Sequence, residues 1–221
     1  MSERAVFHDF NERLAFSQAQ GDEEAAWVAL YQDAWPELVA HTRLDANSRY
    51  QQCGVDRRID LPHMKSIYID EKVRDPNKAK DRDGDPYDDI LIEEWSVWRG
   101  DGHPGNKVGW SLDPRKQCDY VAYALPLLQR CYLLPFELLR WACRSNLAEW
   151  KLLRDTKGRR CYPLDALNQG YKTRNCAVSW TNLQAGLSAE MKRVRTVGGL
   201  ALPTPTIRGV QAEFDWVEKD K

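Results

Sequence analysis

Three residues in one short stretch have the side-chain types that phosphodiester hydrolysis needs: Asp56, Asp70 and Lys72. Side chains alternate faces along a strand, so Asp70 and Lys72 point to one side while Ile69, Glu71 and Val73 point to the other. An acid and a lysine are thereby presented together. Asp56 follows Gly54 and Val55 in the preceding apolar run, and an antiparallel hairpin brings that segment across from Asp70. Two carboxylates on adjacent strands suit a hard divalent cation, because Mg²⁺ takes oxygen ligands and commonly binds through one or two carboxylates, water and substrate phosphate. Such an ion stabilises charge on a phosphoryl oxygen and acidifies a bound water. A lysine beside it can orient the water or neutralise the developing charge.

The tripeptide carries little information by itself. Acid-any-Lys occurs at Asp70/Lys72, Glu149/Lys151, Asp155/Lys157 and Glu190/Lys192, and only the first ends an extended apolar run with a Gly-Val-Asp segment one strand earlier. Its bland reading is a surface hairpin whose charges pair for a fraction of a kcal/mol.

The elements that must position these groups follow from periodicity and breakers. Residues 55–61 and 66–73 read as strands joined by a turn at 62–65. Residues 75–89 are polar and broken by Pro76, Gly84 and Pro86, hence a loop. Its Asp81, Asp83 and Asp85 do not make a calcium loop, since the glycine falls at the fourth position and Ile92 stands at the twelfth. Ile90, Leu91 and Ile92 read as a third strand running into Glu93.

On the N-terminal side, residues 7–40 read as mainly helical, with Trp27, Leu30, Tyr31 and Trp35 on an apolar stripe, a bend or restart of the helix at Pro36, and Leu38 to His41 continuing it. Further on, 119–134 reads as a second hairpin, 136–153 as an amphipathic helix, 175–180 as a short strand and 181–194 as a helix with Thr181 as N-cap. From Pro203 the chain reads as irregular.

With 221 residues, 43% hydrophobic and 29% charged, the composition is that of one well-buried α/β or α+β unit. No run reaches the length of a membrane helix, and the first residues lack a signal-peptide pattern, so a cytoplasmic protein is expected. Six cysteines without a CxxC pair argue against zinc and iron-sulfur sites and for buried thiols. A net charge of −1 excludes a globally basic nucleic-acid binder. Basic residues nevertheless gather in and after the hairpin: Arg57, Arg58, Lys65 and Arg74, then Lys78, Lys80 and Arg82. Of these, Arg57, Arg58 and Arg74 are the expected phosphate contacts.

The Gly54-Val55-Asp56 segment, the hairpin and the Asp70-Glu71-Lys72 strand together resemble the PD-(D/E)XK nuclease superfamily, with its restriction-endonuclease-like fold. The resemblance covers residues 20–140. It implies an α/β fold with a central mixed β-sheet flanked by helices, and a chain forming one domain over 1–221 with a helical and irregular C-terminal extension. It further implies that Asp56 and Asp70 bind Mg²⁺, or Mn²⁺ in its place, that the Glu71 peptide carbonyl is a further ligand, and that Lys72 assists the attacking water. The substrate implied is nucleic acid, DNA foremost.

Val55 stands where the superfamily motif has proline. Asp70 and Glu71 are adjacent acids, and strand alternation favours Asp70 because it shares a face with Lys72. An acid from the first helix, Glu12, Glu23 or Glu24, or Glu93 after the third strand, is a further candidate. The alternative function is a nuclease-fold protein without cleavage, acting as a nucleic-acid-binding or protein-interaction module. A cysteine hydrolase using Cys53 or Cys161 with His8, His41, His63 or His103 has no motif behind it.

Overall fold

A computed structural model describes residues 24–44, 48–168, 170–198 and 209–210. In chain order the elements are α1 (Glu24–Ala34), β1 (Ala40–Arg43), α2 (Ser48–Gln52), β2 (Arg57–Asp60), β3 (Ile67–Val73), β4 (Asp89–Trp98), β5 (Lys107–Val108), β6 (Tyr120–Leu125), a 3-10 turn (Pro126–Leu128), β7 (Arg130–Pro135), α3 (Phe136–Trp150), β8 (Leu164–Asn168), β9 (Tyr171–Ser179), α4 (Trp180–Gly198) and β10 (Gly209–Val210). Glu12, Glu23 and His8 lie outside the described residues. No described helix is long and apolar enough to cross a membrane.

The protein is α/β, and the described residues group into two compact units: those of 22–88, 115–138 and 195–221 in one, those of 89–114 and 139–194 in the other. The first unit is a mixed sheet in the order β1-β2-β3-β6-β7-β10. Its β2–β3 hairpin forms as the alternation predicts, with Arg57 opposite Ile69 and Ile59 opposite Ile67. The β6–β7 hairpin forms likewise. Between them, β3 and β6 run parallel, with Asp70 beside Val121 and Lys72 beside Tyr123. A parallel pair needs a long crossover, and residues 74–119 supply it.

The expected third strand is present, and its sheet is a separate one. Ile90–Ile92 do form strand, but β4 pairs with β9 and β5 in the antiparallel sheet β5-β4-β9-β8 of the second unit. The partner of β4 is the buried run Cys176, Ala177 and Val178, whereas the edge of β3 is taken by β6, whose Val121 to Leu125 are all buried. Each apolar strand found the partner that covers most of its length, and sequence order did not decide it.

Residues 40–43 are a second departure. The helix ends at Ala34 and is neither bent nor restarted at Pro36, and Ala40 to Arg43 extend along β2 as an edge strand. The helices expected near 136–153 and 181–194 are present as α3 and α4.

Helix α1 covers one face of the first sheet. Its Trp27, Leu30 and Tyr31, at i, i+3 and i+4, are buried with Ile59, Leu61, Ile69, Ala122, Ala124 and Cys131. Full burial of one Leu or Ile contributes about 1.5–3 kcal/mol. Within this apolar layer sits a charged fastening. Arg57 is 0% exposed. Its Nη1 and Nη2 donate to the two carboxylate oxygens of Glu24 at 2.7 and 2.8 Å, and its Nε donates to Glu71 Oε1 at 2.6 Å. The Tyr31 hydroxyl donates to the same Glu71 oxygen at 2.7 Å. The hydrogen bonds from Arg57 hold the Glu24 carboxyl below its ordinary value, while burial, with Glu71 behind it, pushes the Tyr31 hydroxyl well up.

Arg57, expected among the phosphate contacts, is therefore committed to joining α1, β2 and β3. Removing one partner of a buried ion pair strands the others. Arg57→Met is expected to lower unfolding stability by about 3–5 kcal/mol, whereas Arg58→Met, whose parent side chain is 40% exposed and pairs with Asp60 at 3.1 Å, should cost no more than about 1 kcal/mol. Urea denaturation of both variants measures the contrast.

Candidate functional site

Strand β2 starts at Arg57, so Asp56 stands just before it. The Asp56 N–H donates to the Ile69 carbonyl at 2.8 Å, and the Glu71 N–H donates to Asp56 Oδ2 at 2.8 Å. The carboxylate thus supplies the acceptor that the Glu71 amide needs where the β2 backbone has run out. That bond leans the Asp56 side chain across β3 toward Asp70.

Asp70 is 1% exposed. Lys72 Nζ contacts its Oδ1, as alternation along the strand requires, and Lys116 Nζ lies 3.6 Å from its Oδ2. That distance makes an ion pair and exceeds a hydrogen bond. Asp70 Oδ2 is accordingly buried with no hydrogen-bond donor. The Glu71 side chain occupies the opposite face, held by Arg57 and Tyr31. Of the adjacent acids, Asp70 is the one whose side chain shares a face with Lys72, and Glu71 presents only its backbone there.

The two neighbouring carboxyls are driven in opposite directions. Burial alone would raise Asp70, but the ammonium groups of Lys72 and Lys116 outweigh it and hold the group below its ordinary value. Burial pushes Asp56 up to about 7, and the Asp70 charge adds to the rise against the pull of Lys72. Two carboxyls with separated affinities for one proton are the signature of acids forced together. Val121, the buried neighbour of Asp70 in β6, is part of the apolar wall that strips water from the pair.

The donor set fits a hard cation. It consists of two carboxylates, one with an unsatisfied buried oxygen, and holds no imidazole. Among the described residues there is no group of three or more His, Cys, Asp or Glu suited to a metal, so water, backbone and a substrate phosphate would complete the coordination, as Mg²⁺ commonly requires. Of the further acids, the two among the described residues do not add to it. Glu24 is bound to Arg57. Glu93 belongs to β4 in the second unit, where its Oε1 accepts from the Trp110 N–H at 3.3 Å.

Of the three expected phosphate contacts, Arg57 and Arg74 are buried and only Arg58 presents a substantial surface. The Cys161 thiol is pushed up by burial, the wrong direction for a nucleophile. The residue that sequence reasoning missed is Lys116. It lies in the irregular segment before β6, where no periodicity marks a direction. Its only forerunner in the sequence is Gly54, whose φ of +66° is what favours glycine there and over whose backbone the flexible end of the Lys116 side chain lies.

The raised Asp56 carboxyl ties stability to pH. It binds its proton more tightly folded than unfolded, so the stabilisation is complete below 3.8 and is lost as pH rises through about 7. Asp56→Asn, which keeps an oxygen for the Glu71 amide, is expected to be more stable than the parent at pH 8 by about 1–3 kcal/mol and level with it near pH 4. Denaturation midpoints in EDTA at the two pH values measure this, and an offset that does not change with pH would contradict it.

No protein-family model, no curated protein and no solved structure matches this chain.

Proposed function

We propose that the first unit carries a metal-dependent nuclease site, hydrolysing phosphodiester bonds of nucleic acid, DNA foremost, in the manner of the PD-(D/E)XK superfamily that the sequence resembles. The observation that carries the reading is the convergence of Asp56, Asp70 and Lys72 on one face of the β2–β3 hairpin, around a buried Asp70 oxygen that lacks a donor.

Asp56 and Asp70 would hold Mg²⁺, or Mn²⁺, with the Glu71 peptide carbonyl as a further oxygen. When bound, the ion supplies charge stabilisation at the phosphoryl oxygen and a water acidified toward neutrality. Lys72 is held by its ion pair with Asp70 and has Tyr123 as its register neighbour in β6, so its ammonium would be preorganised where negative charge develops. Asp56 must shed its proton to act as a ligand, and its value of about 7 couples cation binding to pH. Activity should therefore climb between roughly pH 6 and 8.

One observation favours the second reading, a nuclease-fold module that does not cleave. With Arg57 and Arg74 buried, the hairpin offers fewer surface cations to a nucleic-acid backbone than its sequence suggests.

The test is cleavage of plasmid, linear duplex and single-stranded DNA, and of RNA, in Mg²⁺, Mn²⁺ or EDTA. The parent is expected to cut with either metal and not in EDTA, and Asp56→Ala, Asp70→Ala and Lys72→Ala should each lose about 100-fold or more. Variants that cut as well as the parent would reject these roles. Binding without cleavage by the parent would establish the second reading.

A further inference from the structure

We propose that Tyr50, Tyr68 and Arg58 form a subsite for an unpaired nucleotide beside Asp56 and Asp70, which makes single-stranded nucleic acid the substrate class of this site. The inference rests on the nuclease reading above. Three observations support it.

The first is position. Arg58 stands directly opposite Tyr68 in the β2–β3 register, and the bond from the Asp56 N–H to the Ile69 carbonyl carries the same ladder on to the acids. Tyr68 and Asp70 are two residues apart on one strand, so they share a face and are separated by roughly 6.5 Å along it. Ile67, Ile69 and Val73 pack on the opposite face, under α1. A base attached to a phosphate held at Asp70 therefore has Tyr68 within reach.

The second is the aromatic pair. The Tyr50 and Tyr68 rings stack with centroids 5.9 Å apart and planes 23° from parallel. Both are half-buried, and neither joins the α1 layer that takes up Tyr31, Trp35 and Tyr120. Their backbones are fixed. The Tyr68 N–H donates to Asp119 Oδ2 and the Tyr68 carbonyl accepts from the Asp119 N–H, both at 2.7 Å. The Tyr50 carbonyl accepts from the N–H groups of Cys53 and Val55, each at 3.0 Å. Burial, with Tyr50 beside it, pushes the Tyr68 hydroxyl up, so the ring meets a phosphate chain as a neutral phenol. Aromatic rings held in this way accept any base, since every base has a π-face.

The third is the cation. Arg58 Nη2 pairs with Asp60 Oδ2 at 3.1 Å, while Asp60 Oδ1 accepts from the Ser66 hydroxyl at 2.6 Å. Arg58 Nε has no acceptor among the described residues, and the side chain is 40% exposed. A guanidinium carries five N–H donors. Arg58 can thus keep Asp60 and still hold a phosphate oxygen next to the rings.

A subsite for bases, unlike two tyrosines that only pack together, separates a strand with bases from one without. Anisotropy titrations in EDTA, across a salt series, use fluorescein-labelled oligodeoxythymidine, oligouridine, an abasic DNA strand of the same length and a duplex. They compare the parent with Tyr50→Leu, Tyr68→Leu, Tyr68→Phe and Arg58→Met, and thermal melting checks each fold. The parent is expected to bind the strands with bases about tenfold more tightly than the abasic strand. Tyr50→Leu and Tyr68→Leu should lose that difference and leave duplex affinity unchanged, whereas Tyr68→Phe should retain it. Arg58→Met should weaken every strand and reduce the log–log salt slope by about 0.7–1. A tenfold difference on oligodeoxythymidine or on oligouridine alone also supports the subsite and names the sugar it takes.

A parent that binds the abasic strand as tightly as the others overturns the inference, and that comparison needs no variant. So does a Tyr68→Leu protein that melts like the parent and keeps the difference. Metal-dependent cleavage confined to duplex DNA would leave the nuclease reading standing and bring down the subsite alone. Base-dependent binding without cleavage in Mg²⁺ or Mn²⁺ would do the reverse. A parent that neither binds nor cleaves nucleic acid brings down both.

Discussion

The carboxylate of Glu71 lies on the helix-covered, apolar face of the first sheet, and the bidentate grip of Arg57 on Glu24 is what makes that placement tenable. Two acids and an arginine in a layer otherwise built of Trp27, Leu30, Ile59 and Ile69 would be costly if any one were left unpaired. Paired as they are, they determine the phase of β3. Sliding that strand by one residue would drive Asp70 into the apolar layer and take Glu71 away from Arg57 and Tyr31. The position of Asp70 and Lys72 on the opposite face follows from this. The fastening behind the sheet and the acids in front of it are consecutive residues of one strand, so the stability of the first sets the geometry of the second.

Asp56 works under a different constraint. It must satisfy the Glu71 amide, which β2 leaves uncovered, and doing so brings its carboxyl against that of Asp70. An Asn or a water could serve the amide without the electrostatic cost. The fold uses an acid at a place where burial and a neighbouring charge oppose its ionisation, and it places two lysines nearby. Local folding requirements do not account for that combination; the proposed cation would, because a dication would relieve the repulsion and meet the buried oxygen of Asp70 that has no donor.

The hairpin and its phase were legible in the sequence because they are local. The period of two over 66–73 assigns faces without any knowledge of partners, and it separated Asp70 from Glu71 correctly. The neighbour of β3 was not legible. Both 90–92 and 121–125 are apolar runs of strand length, and the choice of β6 over β4 depends on how each covers its partner, a property that appears only when the whole chain is collapsed. Lys116 was hidden for a related reason. An irregular segment has no period, so neither the direction of its side chain nor its proximity to Gly54 can be read from spacing.

Arg57 and Arg58 show why basic residues counted along a chain are a poor guide to a basic surface. They are adjacent, identical in type, and equally close in sequence to Asp56. Strand alternation sends one to the α1 face, where it meets Glu24 and Glu71, and the other to the Asp60 side with 40% of its side chain exposed. Every second cation in such a strand is lost to the interior. A positive surface beside Asp70 therefore has to come from residues that a strand does not bury on alternate positions. Lys116 comes from an irregular segment, and it reaches the acids from a direction that the hairpin itself does not provide.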